Sequence, residues 1–290
     1  MRVTATMIQN QILRSMSIAQ EQIFNTQRQI SSSKAVSVSS DDPTRYDRSA
    51  RFRTLRARSD QFLINIEDGL NWSVTTSTSL GQIHDLLSKI HTDGLNARND
   101  INADTRAITA TAIESVLQEL VSLGNTDFSG KNVFGGTITE GVAPFVFDGV
   151  AVTYNGNTSQ ISRKIGENTY MAINVTGDEF LGVFAAVLDL RDGLNANDNT
   201  AIDSGLADVA TALSDILTVT ARAGSTQRRL ELTRENLQVA KINLESYISQ
   251  AEDVDLAEAI LRFNSQELGF RAALESSARI QSITILDHLR

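Results

Sequence analysis

The clearest order in the chain is an apolar period of 3.5 residues. From 206 to 248, steps of alternately three and four residues fall on Leu206, Val209, Leu213, Ile216, Thr220, Ala223, Gln227, Leu230, Arg234, Leu237, Lys241, Leu244 and Ile248, and nine of these thirteen are apolar. Such a seam predicts one continuous helix, about 60 Å long at 1.5 Å per residue. Its predicted partner is a second seam of Phe52, Leu55, Phe62, Ile66, Leu80, Ile83, Leu87 and Ile90, with the small residues Ser59, Gly69, Ser73 and Thr76 at the intervening positions. A break is expected over 92–104. A third helix is expected over 105–123, where Ile113, Val116, Leu117, Leu120 and Leu123 share a face and Gly124 and Asn125 supply a stop. Only Pro43 and Pro144 interrupt the chain, so long helices are permitted between them.

Between Gly130 and Gly177 the pattern changes. Glycines crowd in, and 145–147, 150–154, 159–163 and 169–175 read as short strands between turns. The two chain ends carry stripes of their own: Ile12, Met16, Ala19, Ile23, Thr26 and Ile30 near the start, and Leu256, Ile260, Phe263, Phe270 and Leu274 near the end. Residues 1–40 carry a charge balance of +3 and residues 251–290 one of -3, which favours pairing of the ends. The predicted fold is mainly α with a small β insertion: a long antiparallel helical rod (46–129 with 178–250), paired N- and C-terminal helices (1–45 with 251–290) and a central β domain (130–177).

Composition narrows the chemistry. The chain has 290 residues, 41% of them hydrophobic, and a net charge of -9, which disfavours nonspecific attraction to nucleic acid or anionic lipid. It has no cysteine, so disulfides, thiolate metal sites and a cysteine nucleophile are excluded. The start lacks the continuous apolar stretch of a secretory signal, and the longest apolar run, 183–188, is too short to span a bilayer. His84 and His91 stand two helical turns apart and His288 has no neighbour at ligand spacing, so no metal site and no cofactor are expected. The segment 124–132 (GNTDFSGKN) has five residues between its glycines and no hydroxyl residue after its lysine, so it reads as a turn and not a phosphate loop. Arginines 45, 48, 51, 53, 56 and 58 form one dense basic run, but they go around the helix among Asp41, Asp42, Asp47 and Asp60 with only Tyr46 and Phe52 available for stacking. A solvated or subunit-contact face is expected, with an arginine-rich nucleic-acid-binding helix as the alternative from another class. Ser, Asp and Glu are spread along polar faces and do not converge beside a base, so the chain is expected not to be an enzyme.

The opening Met1-Arg2-Val3-Thr4 with Met7, then Ser31-Ser32-Ser33-Lys34 and Ser40-Asp41-Asp42-Pro43, together resemble the bacterial flagellin superfamily, most closely its hook-filament junction branch. Asn125-Thr126-Asp127-Phe128, Phe134-Gly135-Gly136-Thr137 and Val152-Thr153-Tyr154-Asn155-Gly156 are similar to that family's entry into its β domain, and 282–289 to its apolar tail. Ser33 stands where the family commonly has glycine, and Thr44 where a small apolar residue is usual. Flagellin itself is the near alternative, but flagellins usually have alanine, alanine and glycine after the paired aspartates.

The resemblance implies a structural flagellar protein exported through the type III channel with a cytoplasmic chaperone. It would assemble outside the cell, in a ring of its own copies, between hook-associated protein 1 and flagellin. Met7, Ile12, Met16, Ile23, Ile30, Leu256, Ile260, Phe263, Phe270, Leu274, Leu286 and Leu289 are then the expected assembly residues. Terminal stripes that cannot fold stably alone would gain burial when subunits stack.

Overall fold

The structure is a computed structural model that describes the backbone of residues 5–100 and 102–288, and side chains at 7, 9–100 and 102–279. Six helices are described: α1 (Ala5–Ser32), α2 (Pro43–Asn99), α3 (Ala103–Gly124), α4 (Leu181–Asn195), α5 (Asn199–Glu252) and α6 (Leu256–His288). Between α3 and α4 lie β1 (Asp127–Phe128), β2 (Lys131–Asn132), β3 (Phe145–Phe147), β4 (Val152–Tyr154), β5 (Ser162–Lys164) and β6 (Tyr170–Ala172), followed by a 3-10 turn at Gly177–Phe180. The strands pair as three separate antiparallel hairpins: β1 with β2, β3 with β4 and β5 with β6. The chain is therefore mainly α with a small β insertion, as the apolar pattern predicts. It divides into two compact units, residues 1–58 with 240–290 and residues 59–239.

The unit at 59–239 contains most of the apolar core. Along α5, Val209, Ile216 and Leu230 are fully covered, and Leu206, Ala212, Val219 and Ala223 nearly so. Facing residues on α2 include Ile66, Leu80, Leu87 and Ile90. Cross-links fix the two segments as antiparallel: Glu67 pairs with Arg234, Gly69 meets Leu230, Gly94 meets Leu206, and Arg98 holds Asp203. The small seam residues have a direct use. A Cβ on Gly69 would come within 3.1 Å of Ile173, and one on Gly94 within 2.9 Å of Leu190 and Leu206.

That close approach also accounts for a difference from the sequence reading. The break expected over 92–104 is confined to the residues between Asn99 and Ala103, because α2 continues through Gly94 to Asn99. Gly94 is a packing surface for α4 and α5, and Ala97 just beyond it is buried. Arg106, itself buried, closes this end of the unit by donating to the carbonyls of Ala97, Arg98 and Asp100 and to Asn197 Oδ1. Helix α4 is the element that periodicity missed. Its apolar run at 183–188 carries four buried residues, Val183, Phe184, Ala186 and Val187, followed by Leu190 and Leu194.

The hairpins are held to the helices by aromatic packing. The Phe145 ring lies 5.1 Å from Tyr154, 5.0 Å from Phe184 and edge-on to Phe180, which also meets Phe134 at 4.8 Å. Asn125, just past α3, uses its side-chain amide like a strand partner: Nδ2 donates to the Phe145 carbonyl and Oδ1 accepts from the Phe145 amide, both at 2.8 Å. The Tyr154 hydroxyl lies 2.9 Å from the Phe134 carbonyl and accepts from the Gly177 amide, and burial raises its pKa. The segment 124–132 is a turn, as expected. Ser129 (φ 54°) and Gly130 (φ 77°) are the left-handed pair of a two-residue hairpin loop.

Two glycines of α5 should respond oppositely to substitution. A Cβ at Gly205 would meet the α4 backbone at Leu190 Cα, 2.7 Å away, so Gly205→Ala should lower stability by about 1–3 kcal/mol despite the better helix former. At Gly224 nothing lies within 4 Å, so Gly224→Ala should raise stability by about 0.5–1 kcal/mol. Urea unfolding followed by the buried Trp72 reads both.

Candidate assembly interface

Within the unit formed by 1–58 and 240–290, α1 packs along α6. The inward register of α1 is the predicted heptad: Ile12, Met16, Ala19, Ile23 and Ile30 are half-buried and Thr26 is buried. On α6 the inward positions are Ala259, Phe263, Gln266, Phe270 and Ser277, with Ala259 fully covered. The pair is antiparallel. Thr26 Oγ1 donates to Gln266 Oε1 at 2.8 Å, and further along Ile12 and Met16 line a shallow groove with Ala273 and Ser277.

The proposed assembly residues therefore fall into two groups. Ile12, Met16, Ile23, Ile30, Phe263 and Phe270 lie at partly buried positions, while Met7, Leu256, Ile260 and Leu274 are exposed. Leu286 is in α6 with its side chain outside the described residues, and Leu289 lies outside them altogether. The outward surfaces, though largely polar, also carry large exposed apolar side chains. Phe24, which the sequence marks with Met7 and Met16 as a side chain to be buried between molecules, is 61% exposed; Leu261 is 70% and Leu268 71% exposed, and these two the sequence reading did not include. Leu261 and Leu268 were missed because they lie off the single stripe that was followed along α6.

The motif Ser40-Asp41-Asp42-Pro43 has a local explanation. Asp42 Oδ1 accepts from the amides of Thr44 and Arg45, which caps the start of α2, and Pro43 occupies the first helical position, where no amide hydrogen is needed. Asp41 Oδ2 accepts from the amides of Ser37 and Val38 while its Oδ1 holds Arg28 of α1 at 2.8 Å. Those two amides, and the Arg28 charge after them, depress the Asp41 pKa below its ordinary value. Ser40 is exposed. The turn after α1 also requires a left-handed residue, and Ser33 takes it at φ 57°. This is the position where a glycine was expected from the resemblance, so the departure costs strain without changing the turn.

Arg45, Arg53 and Arg56 of the run reach across to α5, while all of the run but Arg45 remain exposed to solvent. Arg45 donates to the Ala251 carbonyl and Arg53 to Glu252, Arg56 pairs with Glu245, and Arg51 pairs with Asp47. Arg45 and Arg53 thus sit at the C-terminal end of α5, where the last carbonyls concentrate negative potential. Phe52 packs against Tyr247 at 5.4 Å in the same region.

Comparison with known proteins follows this helical arrangement. The bacterial flagellin N-terminal helical region matches residues 3–139, and the bacterial flagellin C-terminal helical region matches 206–289. The chain belongs to the bacterial flagellin family. The stretch between the two matches, 140–205, contains β3 to β6 and α4. Among curated relatives, flagellar hook-associated protein 3 of Escherichia coli is 26% identical over 271 residues, covering 88% of this chain and 82% of its own length. Flagellin of Bacillus subtilis is 26% identical over 254 residues, covering 78% and 79%. The solved flagellar junction protein of Legionella pneumophila shares the fold with a TM-score of 0.61 at 13% identity, covering 71% of this flagellin-family chain and 100% of the other.

In this family member the strained turn gives a direct test. Ser33→Gly should relieve the left-handed penalty and stabilise the turn by about 0.5–1 kcal/mol, net of the extra freedom of glycine in the unfolded chain. Slower hydrogen exchange at the Ala35 amide, which bonds the Glu252 carbonyl at 2.6 Å, would register it.

Proposed function

We propose that this chain is a structural component of the bacterial flagellum, built into the junction between hook-associated protein 1 and the flagellin filament. The observation that carries the reading is the apolar outer surface of the terminal helices, on a chain whose family assignment is flagellar. Leu261 and Leu268 are seven residues apart, so they project from one face of α6, and Phe24 is exposed on α1. Residues of this size gain about 1.5–3 kcal/mol each on full burial, so a surface carrying several of them favours association with like surfaces. The partners are further copies of the chain in a ring, hook-associated protein 1 on one side and flagellin on the other. Export with a cytoplasmic chaperone to the extracellular flagellum, and the absence of any enzymatic role, belong to the same reading.

Assignment to the junction and not the filament rests on Pro43 after the paired aspartates, since hook-associated protein 3 and flagellin relatives are alike at 26% identity. The pairing of Arg45, Arg53 and Arg56 with α5 supports a structural reading over nucleic-acid binding. No described helix is long and apolar enough to cross a membrane.

Phe263 and Phe270 contribute to the seam within the chain, so replacing them would disturb monomer and assembly together. Leu261 and Leu268 separate the two. Leu261→Ala with Leu268→Ala should leave monomer unfolding within about 0.5 kcal/mol of wild type, because both side chains are exposed. Secretion should continue, while flagellin leaks unpolymerised into the medium and motility fails. Normal swimming with full-length filaments would reject this face as an assembly surface.

A further inference from the structure

Helix α1 ends and α6 begins at one joint on the last turn of α5. The amides of Ala35 and Val36 both donate to the Glu252 carbonyl, the Val254 amide donates to the Ser33 carbonyl, and Lys34 and Asp253 form an antiparallel bridge. The Glu252 side chain lies under this bridge, 3% exposed, and is held by Lys34 Nζ at 2.9 Å and by the Arg53 guanidinium of α2. One buried carboxylate therefore connects the turn after α1, the first part of α2 and the end of α5. Asp255 Oδ1, three residues on, accepts the amides of Ala257 and Glu258 and starts α6.

We propose that Glu252 is the positioning residue for the terminal helix pair, and that its carboxylate is an acid-sensitive clasp whose protonation frees both α1 and α6 from the end of α5. Its consequence for junction building rests on the assembly reading above. The clasp itself does not.

The electrostatics set the direction of the response. Burial pushes the Glu252 pKa up, but hydrogen bonds from Lys34 and Arg53 and the charge of Arg53 outweigh it, and the net value lies below the ordinary 4.5. A carboxylate depressed in the folded state contributes stability that is fully present above 4.5 and lost as pH falls through the folded value. The joint should thus be closed at neutral pH and open in acid. The charged neighbours are Lys34 from the turn, Arg45, Arg53 and Arg56 from α2, Glu245 and Asp253 from the end of α5, and Asp255 at the start of α6. Asp41, also depressed, organises the loop at Ser37 and Val38 and pairs with Arg28. Of these carboxylates, Glu252 is the one that is both buried and bound to two cations.

Hydrogen exchange on the purified full chain, expressed as protection relative to the intrinsic rate at each pH, tests the clasp at Ala35, Val36 and Val254. In the wild type these amides should be protected near pH 7 and lose about tenfold or more as pH falls below about 4.5, the scale of hydrogen bonds to charged groups. Buried amides of α3, such as that of Leu117, should hold. Glu252→Gln should show the low protection already at neutral pH and a flat profile at Val254. Lys34→Met, at a partly exposed side chain, should keep the joint closed at neutral pH but move the acid midpoint upward, because one depressing partner is gone. A wild-type profile in Glu252→Gln would assign the acid response to Asp41 or Asp255 and overturn the proposal, as would unprotected wild-type amides at neutral pH or an unmoved midpoint in Lys34→Met. If Glu252→Gln opens the joint yet builds junctions as well as wild type, the positioning role is overturned. The Leu261 and Leu268 variants test the assembly surface separately.

Discussion

A helix of 54 residues has no stability of its own in water unless one of its faces is covered, and α5 is built around that requirement. Its seam fixes which residues other elements must present. In the unit at 59–239 the answer is a row of small residues on α2 and glycines at 94 and 205, so that α2 and α4 can approach to the distance at which Leu190, Leu206 and Leu230 fill the space. The hairpins attach to the same core through Phe145 and Phe180, and they need no extended sheet because their rings are anchored on helices. Two-stranded ribbons of three residues would not persist alone.

The terminal pair obeys the same requirement with less of its own chain to satisfy it. Two helices provide one seam between them, so each retains an outer face. On α1 and α6 those faces hold Phe24, Leu261 and Leu268, residues that elsewhere in the molecule are interior types. A monomer that keeps such surfaces uncovered is less favourable than one whose neighbours cover them, which makes the same helices an intramolecular pair and an intermolecular surface. The seam and the outer face are separable because they lie on different sides of the helix.

The period of the seam made the helices legible, and every one of the thirteen positions read on α5 is buried or half-buried. What periodicity could not show was the meaning of small residues. Gly94 falls inside the break expected over 92–104 and is a packing surface, and the short apolar run at 183–188 shows no period of its own by which to define α4. At the ends, the α1 heptad was correctly phased, but on α6 the leucines and isoleucine drew the stripe toward Leu256, Ile260 and Leu274. The covered register runs instead through Ala259, Phe263, Gln266 and Phe270. Hydrophobicity alone ranks a leucine above an alanine or glutamine, whereas a close helix pair favours the smaller residue and a hydrogen bond between Thr26 and Gln266.

Polar residues at the joint follow a different logic from the seam, because each has a named backbone group to satisfy. Asp42 meets the free amides at the start of α2, Asp41 those of Ser37 and Val38, and Asp255 those at the start of α6. At the other pole, Arg45 meets a carbonyl at the end of α5. Acids stand at helix starts and a cation at a helix end, the arrangement that the helix dipole favours. This accounts for Arg45 within the dense arginine run of an overall acidic chain. Arg45 meets the Ala251 carbonyl where α5 ends, and Glu252 joins the same set because Lys34 and Arg53 share its one buried carboxylate. A substitution there acts on several helix ends at once, so the short segment between α1 and α2 tolerates strain at Ser33 while its charged anchors leave little freedom for change.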